Sequence, residues 1–184
     1  MPDTRTDRFD TRVAPHLETL LRVAYRLVRN RSDAQDLVQE TCVAACENPA
    51  AFGSADHPVR WLLRVLHNRF IDRTRRQKRS QLVPLDEADA ADPLVCGRPG
   101  PEQSLLYSDA QRAVARAFLK LDETQRTLLV LRIEGYDLGE IQDITGIQRE
   151  VLRARLHRAR GSLARHLEQQ TGASSVALLF GSQS

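Results

Sequence analysis

Apolar residues recur every three to four positions along most of this chain, and no stretch alternates apolar with polar residues for more than a few positions. That periodicity predicts helices and no sheet. From Arg12 to Val28 the apolar residues Val13, Leu17, Leu20, Leu21, Ala24, Leu27 and Val28 define a first helix. Ser32-Asp33 reads as the N-cap of a second, with Gln35 as its capping-box partner. This second helix turns Ala34, Leu37, Val38, Thr41, Cys42 and Ala45 inward and its acids outward, and stops at Asn48-Pro49. After a loop from Ala50 to Pro58, a long helix is expected from about Val59 to Arg79, seated by Trp61, Leu62, Val65, Leu66, Phe70 and Ile71.

Between Ser80 and Pro101 the pattern collapses. Pro84, Pro93, Pro99 and Pro101, with Gly97 and Gly100, rule out a regular helix and predict an extended acidic linker. Helical spacing returns at Ser104 and runs to Leu121. Asp122 then caps a helix from Glu123 to Glu134 that ends at Gly135, and two more follow, Leu138 to Thr145 and Gln148 to about Glu168, split by Gly146. The expected fold class is all-α: two small helical domains, residues 10–79 and 104–170, joined by a flexible acidic linker, 80–103, and followed by a flexible tail, 171–184.

Composition narrows the class. Hydrophobic residues make up 41% of the 184 and charged residues 28%, enough to bury a core and remain soluble. No run approaches the roughly 20 apolar residues of a membrane span, and Met1 to Asp10 lacks a signal-peptide core; a cytoplasmic protein is expected. The charge distribution says more than the net of +3. Ser32 to Asp56 carries five acids and no Lys or Arg, Arg60 to Arg79 is net +7, Gln81 to Ser104 is net −4, and Gln148 to His166 is net +5. Two basic blocks separated by an acidic stretch read as two polyanion-binding faces. Of the 27 basic residues 25 are arginine, whose planar fork suits phosphates and base edges. Three cysteines, an odd number, argue against a disulfide framework. Cys42 and Cys46 share a helical face but have no His at zinc-site spacing, so neither metal nor cofactor is expected. No nucleophile–base set or phosphate-cradling glycine loop emerges, which points away from an enzyme.

The segment from Asp137 to Ile147 fits a helix-turn-helix. Ile141 and Ile144 face inward, Gly146 makes the turn and Ile147 plugs it. The following helix buries Val151 or Leu152, Leu156, Ala159 and Leu163 while displaying Arg149, Arg153, Arg155, Arg158 and Arg160. A recognition helix needs this pairing of an apolar back with long cationic donors. An arginine-faced bundle helix would share the pattern.

Residues Leu20 to Arg79 closely resemble region two of the bacterial extracytoplasmic-function (ECF) sigma factors. The resemblance is carried by Ala24-Tyr25-Arg26-Leu27, by Asp33-Ala34-Gln35-Asp36-Leu37-Val38-Gln39-Glu40-Thr41, by Phe52 and Trp61-Leu62-Leu63-Arg64, and by Asn68-Arg69-Phe70-Ile71-Asp72-Arg73-Thr74-Arg75-Arg76. The end of the chain is similar to region four of the same family, through Leu121, Gln125-Arg126 and Leu156-His157-Arg158-Ala159-Arg160. Several expectations follow from the resemblance. Asp33, Asp36, Leu37, Gln39 and Glu40 would dock on core RNA polymerase, at the β′ coiled coil, with further contacts to the β subunit. Phe52, Ser54, Asp56, Asn68, Arg69, Arg73, Arg75 and Arg76 would hold the −10 element, partly as single-stranded DNA; Phe52 would offer an aromatic face to a base that has left the stack. Arg149, Glu150, Arg153, Arg155, Arg158 and Arg160 would read duplex DNA at −35. The linker would thread the polymerase, and an anti-sigma factor would be a regulatory partner.

The chain also departs from the family. Its recognition helix opens on the bulky, charged Gln148-Arg149-Glu150-Val151, Cys42 and Cys46 stand where large aromatics are usual, and Gly139 and Gln142 are atypical. Two rivals share much of the pattern: a decoy that sequesters an anti-sigma factor without binding DNA, and a helix-turn-helix repressor independent of polymerase. The arginines of both domains argue against the first, and the Asp33–Glu47 segment against the second.

Overall fold

A computed structural model describes residues 11–80 and 111–171. Apart from Ser80 and Thr171 at their edges, the expected acidic linker and tail lie outside the described residues, as does the start of the helix expected from Ser104. Every regular element among the described residues is helical.

The first expected helix is interrupted: helical residues at 11–13 run into a 3₁₀ turn at Ala14–His16, and α1 follows, Leu17–Val28. Leu20, Val23, Ala24, Tyr25 and Leu27 of α1 are buried, whereas Leu17 and Leu21 stay largely exposed. Arg29 ends α1 in the left-handed conformation at φ 58°, which strains a residue with a Cβ. Its guanidinium lies 5.6 Å from the centre of the Tyr25 ring, a contact that offsets part of that strain.

The cap of the second helix corrects the sequence reading. Asn30, not Ser32-Asp33, is the N-cap: its side chain accepts from the Asp33 N–H at 3.0 Å, and α2 spans Arg31–Glu47. The reversal of the chain at Arg29 brings Asn30 into extended geometry two residues earlier than expected, and an Asn there caps as well as Ser or Asp. The expected loop from Ala50 also begins as a short helix, α3, Pro49–Gly53, with proline in its first turn, where a missing N–H costs nothing. Helix α4 follows, Pro58–Ser80.

The second half opens with a helix over 111–119, α5. Then come α6, Glu123–Ile133, α7, Leu138–Thr145, and α8, Arg149–Thr171. Two complete capping boxes set the starts of α6 and α7. Asp122 accepts from the Gln125 N–H at 2.7 Å, Asp137 from the Glu140 N–H at 2.8 Å, and each N3 side chain reaches back to the cap. The turn between α7 and α8 uses Gly146 at φ 71°. A Cβ there would meet nothing within 4 Å, so the backbone angle, not crowding, calls for glycine.

Helices α1, α2 and α4 form one bundle, and α6, α7 and α8 a second. The two pack on each other, α4 against α6 and α7, α1 against α6, and their apolar interiors merge into one core. Leu20, Leu37, Leu62 and Leu66 from the first bundle and Leu128, Leu131, Ile141 and Leu152 from the second are at most 1% exposed. Each such side chain contributes about 1.5–3 kcal/mol through burial. Truncating one, as in Leu66→Ala, should cost about 2–5 kcal/mol.

Candidate functional site

Helix α2 presents a graded acidic face. Asp36, Gln39 and Glu40 are exposed one turn apart, and Val43, 49% exposed, continues the same stripe toward Glu47. Val43 was not marked by the sequence, because an apolar residue in an amphipathic helix is read as core. Leu37 is corrected: it is fully buried, points away from the acids, and holds α2 to the bundle, so it is not a docking contact. Asp33, half-exposed, is paired with Arg73 of α4.

The loop after α3 is built differently from expectation. Phe52 is only 3% exposed. Its ring centre lies 5.3 Å from that of Trp61 at an interplanar angle of 51°, and the Arg12 guanidinium covers it at 5.4 Å. The aromatic face expected to receive a base is thus spent inside the protein, because Trp61 enters α4 beside it. Arg12 also fixes the loop backbone, donating to the carbonyls of Gly53 at 2.8 Å and Ala55 at 3.1 Å. Ser54 and Asp56 stay exposed on that loop, with the Ser54 hydroxyl donating to the Ala51 carbonyl.

Along α4, Asn68, Arg69, Arg75 and Arg76 are exposed, while Arg73 is half-buried against Asp33. A cleft of about 410 Å³ runs where α2 meets α4, lined by Glu40, Arg69, Asp72, Arg73, Arg76 and Gln77. The acidic face and the basic series therefore share an edge. Phe70 is buried and Trp61 half-buried, consistent with core roles.

On α8, Leu152, Leu156, Ala159 and Leu163 are buried, and the outer face carries Arg149, Glu150, Arg153, Arg158 and Arg160 exposed and Arg155 half-buried. Of the two candidates for the first buried position, Leu152 takes it and Val151 stays out. The arginine file is a long strip of donors with an apolar back, a shape suited to a groove of duplex DNA. At the start of α7, the Glu140 N–H holds the Asp137 carboxyl below its ordinary range.

A further set of charged residues joins the two bundles; Arg26, Arg64 and Arg126 stand in the motifs of the sequence analysis, which gave them no role, and Glu134 stands in none. Glu134 follows α6 with its side chain 5% exposed, between Arg22 at 2.7 Å and Arg26 at 3.0 Å from α1. Arg126 is 9% exposed, donates to the Leu27 carbonyl at 3.3 Å and lies 5.2 Å from the centre of the Phe70 ring. Arg60 pairs with the Asp143 carboxylate at 2.8 Å, and Arg64 donates to the Asp143 carbonyl. Buried His67 meets the Thr127 hydroxyl at 3.2 Å, and burial pushes the imidazole down to about 4. Thr127 already donates to the Glu123 carbonyl, so His67 Nδ1 carries the hydrogen of this contact. Cys42 and Cys46 are free thiols one turn apart, and burial together with Cys46 pushes the Cys42 thiol up; Cys96 lies outside the described residues. Among the described residues no cluster of His, Cys, Asp and Glu is arranged to hold a metal ion, and no helix is long and apolar enough to cross a membrane.

Comparison with known proteins matches residues 12–80 to the family Sigma-70 region 2 and residues 111–163 to Sigma-70, region 4. The ECF RNA polymerase sigma factor SigE of Mycolicibacterium smegmatis is 31% identical over 89% of this chain and 63% of its own length. SigW of Bacillus subtilis is 27% identical, with 88% of this chain and 89% of its own covered. The sigma factor CnrH of Cupriavidus metallidurans is 30% identical, covering 87% and 86%. Among solved structures, the sigma factor RpoE of Bartonella quintana, in complex with the anti-sigma factor NepR, superposes with a TM-score of 0.62 at 25% identity, covering 88% of this chain and 97% of that one. CnrH in complex with the cytosolic domain of CnrY gives 0.61 at 24% identity, over 90% and 91%.

Proposed function

Because the chain belongs to the ECF family of RNA polymerase sigma factors, which direct promoter-specific transcription initiation, we propose the following division of labour among its residues. Asp36, Gln39 and Glu40, with Val43, dock on the β′ coiled coil of core polymerase. The fixed loop at Ser54 and Asp56 and the exposed Asn68, Arg69, Arg75 and Arg76 engage the −10 element and help to open it. Arg149, Glu150, Arg153, Arg155, Arg158 and Arg160 lie along the −35 duplex. The protein acts by binding, at the cytoplasmic polymerase, and catalyses no reaction itself.

The observation that carries this reading is the shared edge of α2 and α4. An acidic stripe fit for a basic helical partner adjoins a basic series fit for DNA, so polymerase and the −10 strand can be held side by side. Electrostatics alone would let either face bind nonspecifically; the adjacency couples them. An anti-sigma factor is proposed as a further partner, as for the neighbour RpoE, whose structure is a complex with the anti-sigma factor NepR.

In vitro transcription with core polymerase on a pool of random promoters tests the reading. Transcripts from templates sharing one two-part sequence are expected. A decoy would bind an anti-sigma factor and yield no transcripts, and a repressor would bind duplex DNA without any contribution from polymerase; either result would overturn it.

A further inference from the structure

Cys42 and Cys46 of α2 take no part in the division of labour proposed above. Both are free thiols, one helical turn apart; Cys42 is half-buried against the core and Cys46 is exposed. Cys46 stands three positions after Val43 and seven after Gln39, so the pair borders the acidic stripe. Its neighbours on the helix, Glu40 and Glu47, are exposed acids, and no Lys or Arg occurs from Ser32 to Asp56.

These surroundings narrow what the two sulfurs can bind. A structural zinc site takes four ligands, and among the described residues no group of three metal-ligating side chains is found. A direct disulfide does not fit either. One turn apart on a helix, Cβ atoms lie about 5–6 Å from each other, whereas a disulfide needs about 3.5–4.5 Å. Thiolate chemistry is disfavoured as well, because burial and the neighbouring Cys46 push the Cys42 thiol up, and no cation on this stretch favours the anion. The pair is suited instead to a ligand that bridges two neutral thiols through one soft atom of its own.

A trivalent arsenical, R–As(OH)2, meets these terms. Each sulfur forms one S–As bond as one As–O bond breaks, and each thiol proton leaves with the departing hydroxide as water. The products are the bridged R–As and two water molecules, with no change of oxidation state and no charge added to an acidic face. Because the helix holds both thiols within one turn, the second bond is intramolecular and forms at high effective concentration.

We propose that Cys42 and Cys46 form a two-thiol site for trivalent arsenicals, and that the bound group, lying beside Gln39 and Val43, blocks the docking of core polymerase. The block rests on the docking reading above; the thiol site does not.

The test uses the full chain in its reduced form, with phenylarsine oxide as the probe. Intact mass should show one phenylarsenic group per chain and the loss of two free thiols, with helicity unchanged by circular dichroism. A dithiol should strip the group and a monothiol should not. Cys42→Ala and Cys46→Ala should each weaken binding at least about 100-fold, and Cys96→Ser should leave it unchanged. Tight binding by either folded alanine variant, or its loss in Cys96→Ser, overturns the site. The loaded chain, freed of excess probe, should no longer assemble with core polymerase, while Cys42→Ala with Cys46→Ala should assemble whether or not it has met the probe. Full assembly by the loaded chain overturns the block. Failure of the untreated chain to bind core polymerase would instead overturn the functional reading, and the thiol site would stand on the mass measurement alone.

Discussion

Arg73, in the basic half of α4, is ion-paired with Asp33, in the first turn of the acidic α2. One member of each expected binding face is thereby committed to the other, and the outward faces are left to their neighbours. Both side chains remain partly in water, at 26% and 39% exposure, where such pairs contribute only about 0–1 kcal/mol. Arg73→Ala should lower stability by no more than that in urea unfolding. Asp36→Arg with Glu40→Arg, on the exposed stripe, should leave stability nearly unchanged and abolish assembly with core polymerase. Undiminished core binding by the folded double variant would remove this stripe from the interface.

Phe52 separates two roles. As a buried ring against Trp61 it should behave as core, and Phe52→Ala should cost about 3–5 kcal/mol in unfolding free energy. Phe52→Leu, which keeps most of the volume, should recover much of that loss and also restore transcription. A stable Phe52→Leu protein that binds promoter but fails to open it would return the ring to base capture.

His67 gives a pH signature. Its imidazole is held neutral by burial, down at about 4 against an ordinary value of 6.5. The unfolded chain therefore takes up a proton in this window before the folded one does. The stabilisation is complete above pH 6.5 and is lost as pH falls toward 4, by up to about 3 kcal/mol. Carboxylates titrate in the lower part of the same range, so the comparison is with His67→Gln, whose stability should decline less steeply between pH 6.5 and 4. Parallel slopes for the two proteins would mean that His67 accepts a proton without disturbing the fold.

How much of this was legible in the chain depends on distance along it. The pair α7 and α8 could be read almost to the residue, since Asp137, Ile141, Ile144 and Gly146 each act within a turn of their own position. The second helix was displaced at its start because Asn30 and Ser32 are equally able caps and only the left-handed Arg29 decides between them. Leu37 and Phe52 were assigned to surfaces by the family resemblance, although helical period alone placed Leu37 inside. Arg12, Arg126 and Glu134 lay beyond any local pattern: their partners stand about 40, 100 and 110 positions away in sequence, and a single charge carries no mark of the neighbour it will find.

Positioning and readout should separate on DNA. Arg75→Ala and Arg76→Ala should weaken all promoters alike and make binding less steeply dependent on salt, because each removes a phosphate contact. Asn68→Ala should impair a duplex −10 element more than a pre-melted bubble. Equal losses on both templates would assign Asn68 to positioning.

The start of α8 is testable in sign. A bidentate base contact is worth about 1–3 kcal/mol of discrimination, so Arg153→Ala should relax the preference at one −35 position in a binding library. Glu150→Gly should lose affinity for the native element if the carboxylate accepts from a cytosine amino group. Uniformly stronger binding would show that Glu150 only repels phosphate.

The grip of Arg12 on the Gly53 and Ala55 carbonyls has a thermodynamic corollary. A loop free in solution would surrender about 1–2 kcal/mol of backbone entropy for each residue ordered on meeting a strand; this one has been ordered during folding. Capture of an extruded nucleotide then resembles a key entering a cut lock, and discrimination among bases falls to shape rather than to induced closure. It also ties promoter opening to the turn that holds Arg12: fraying before α1 would loosen the loop and blunt melting at temperatures where the two bundles remain folded.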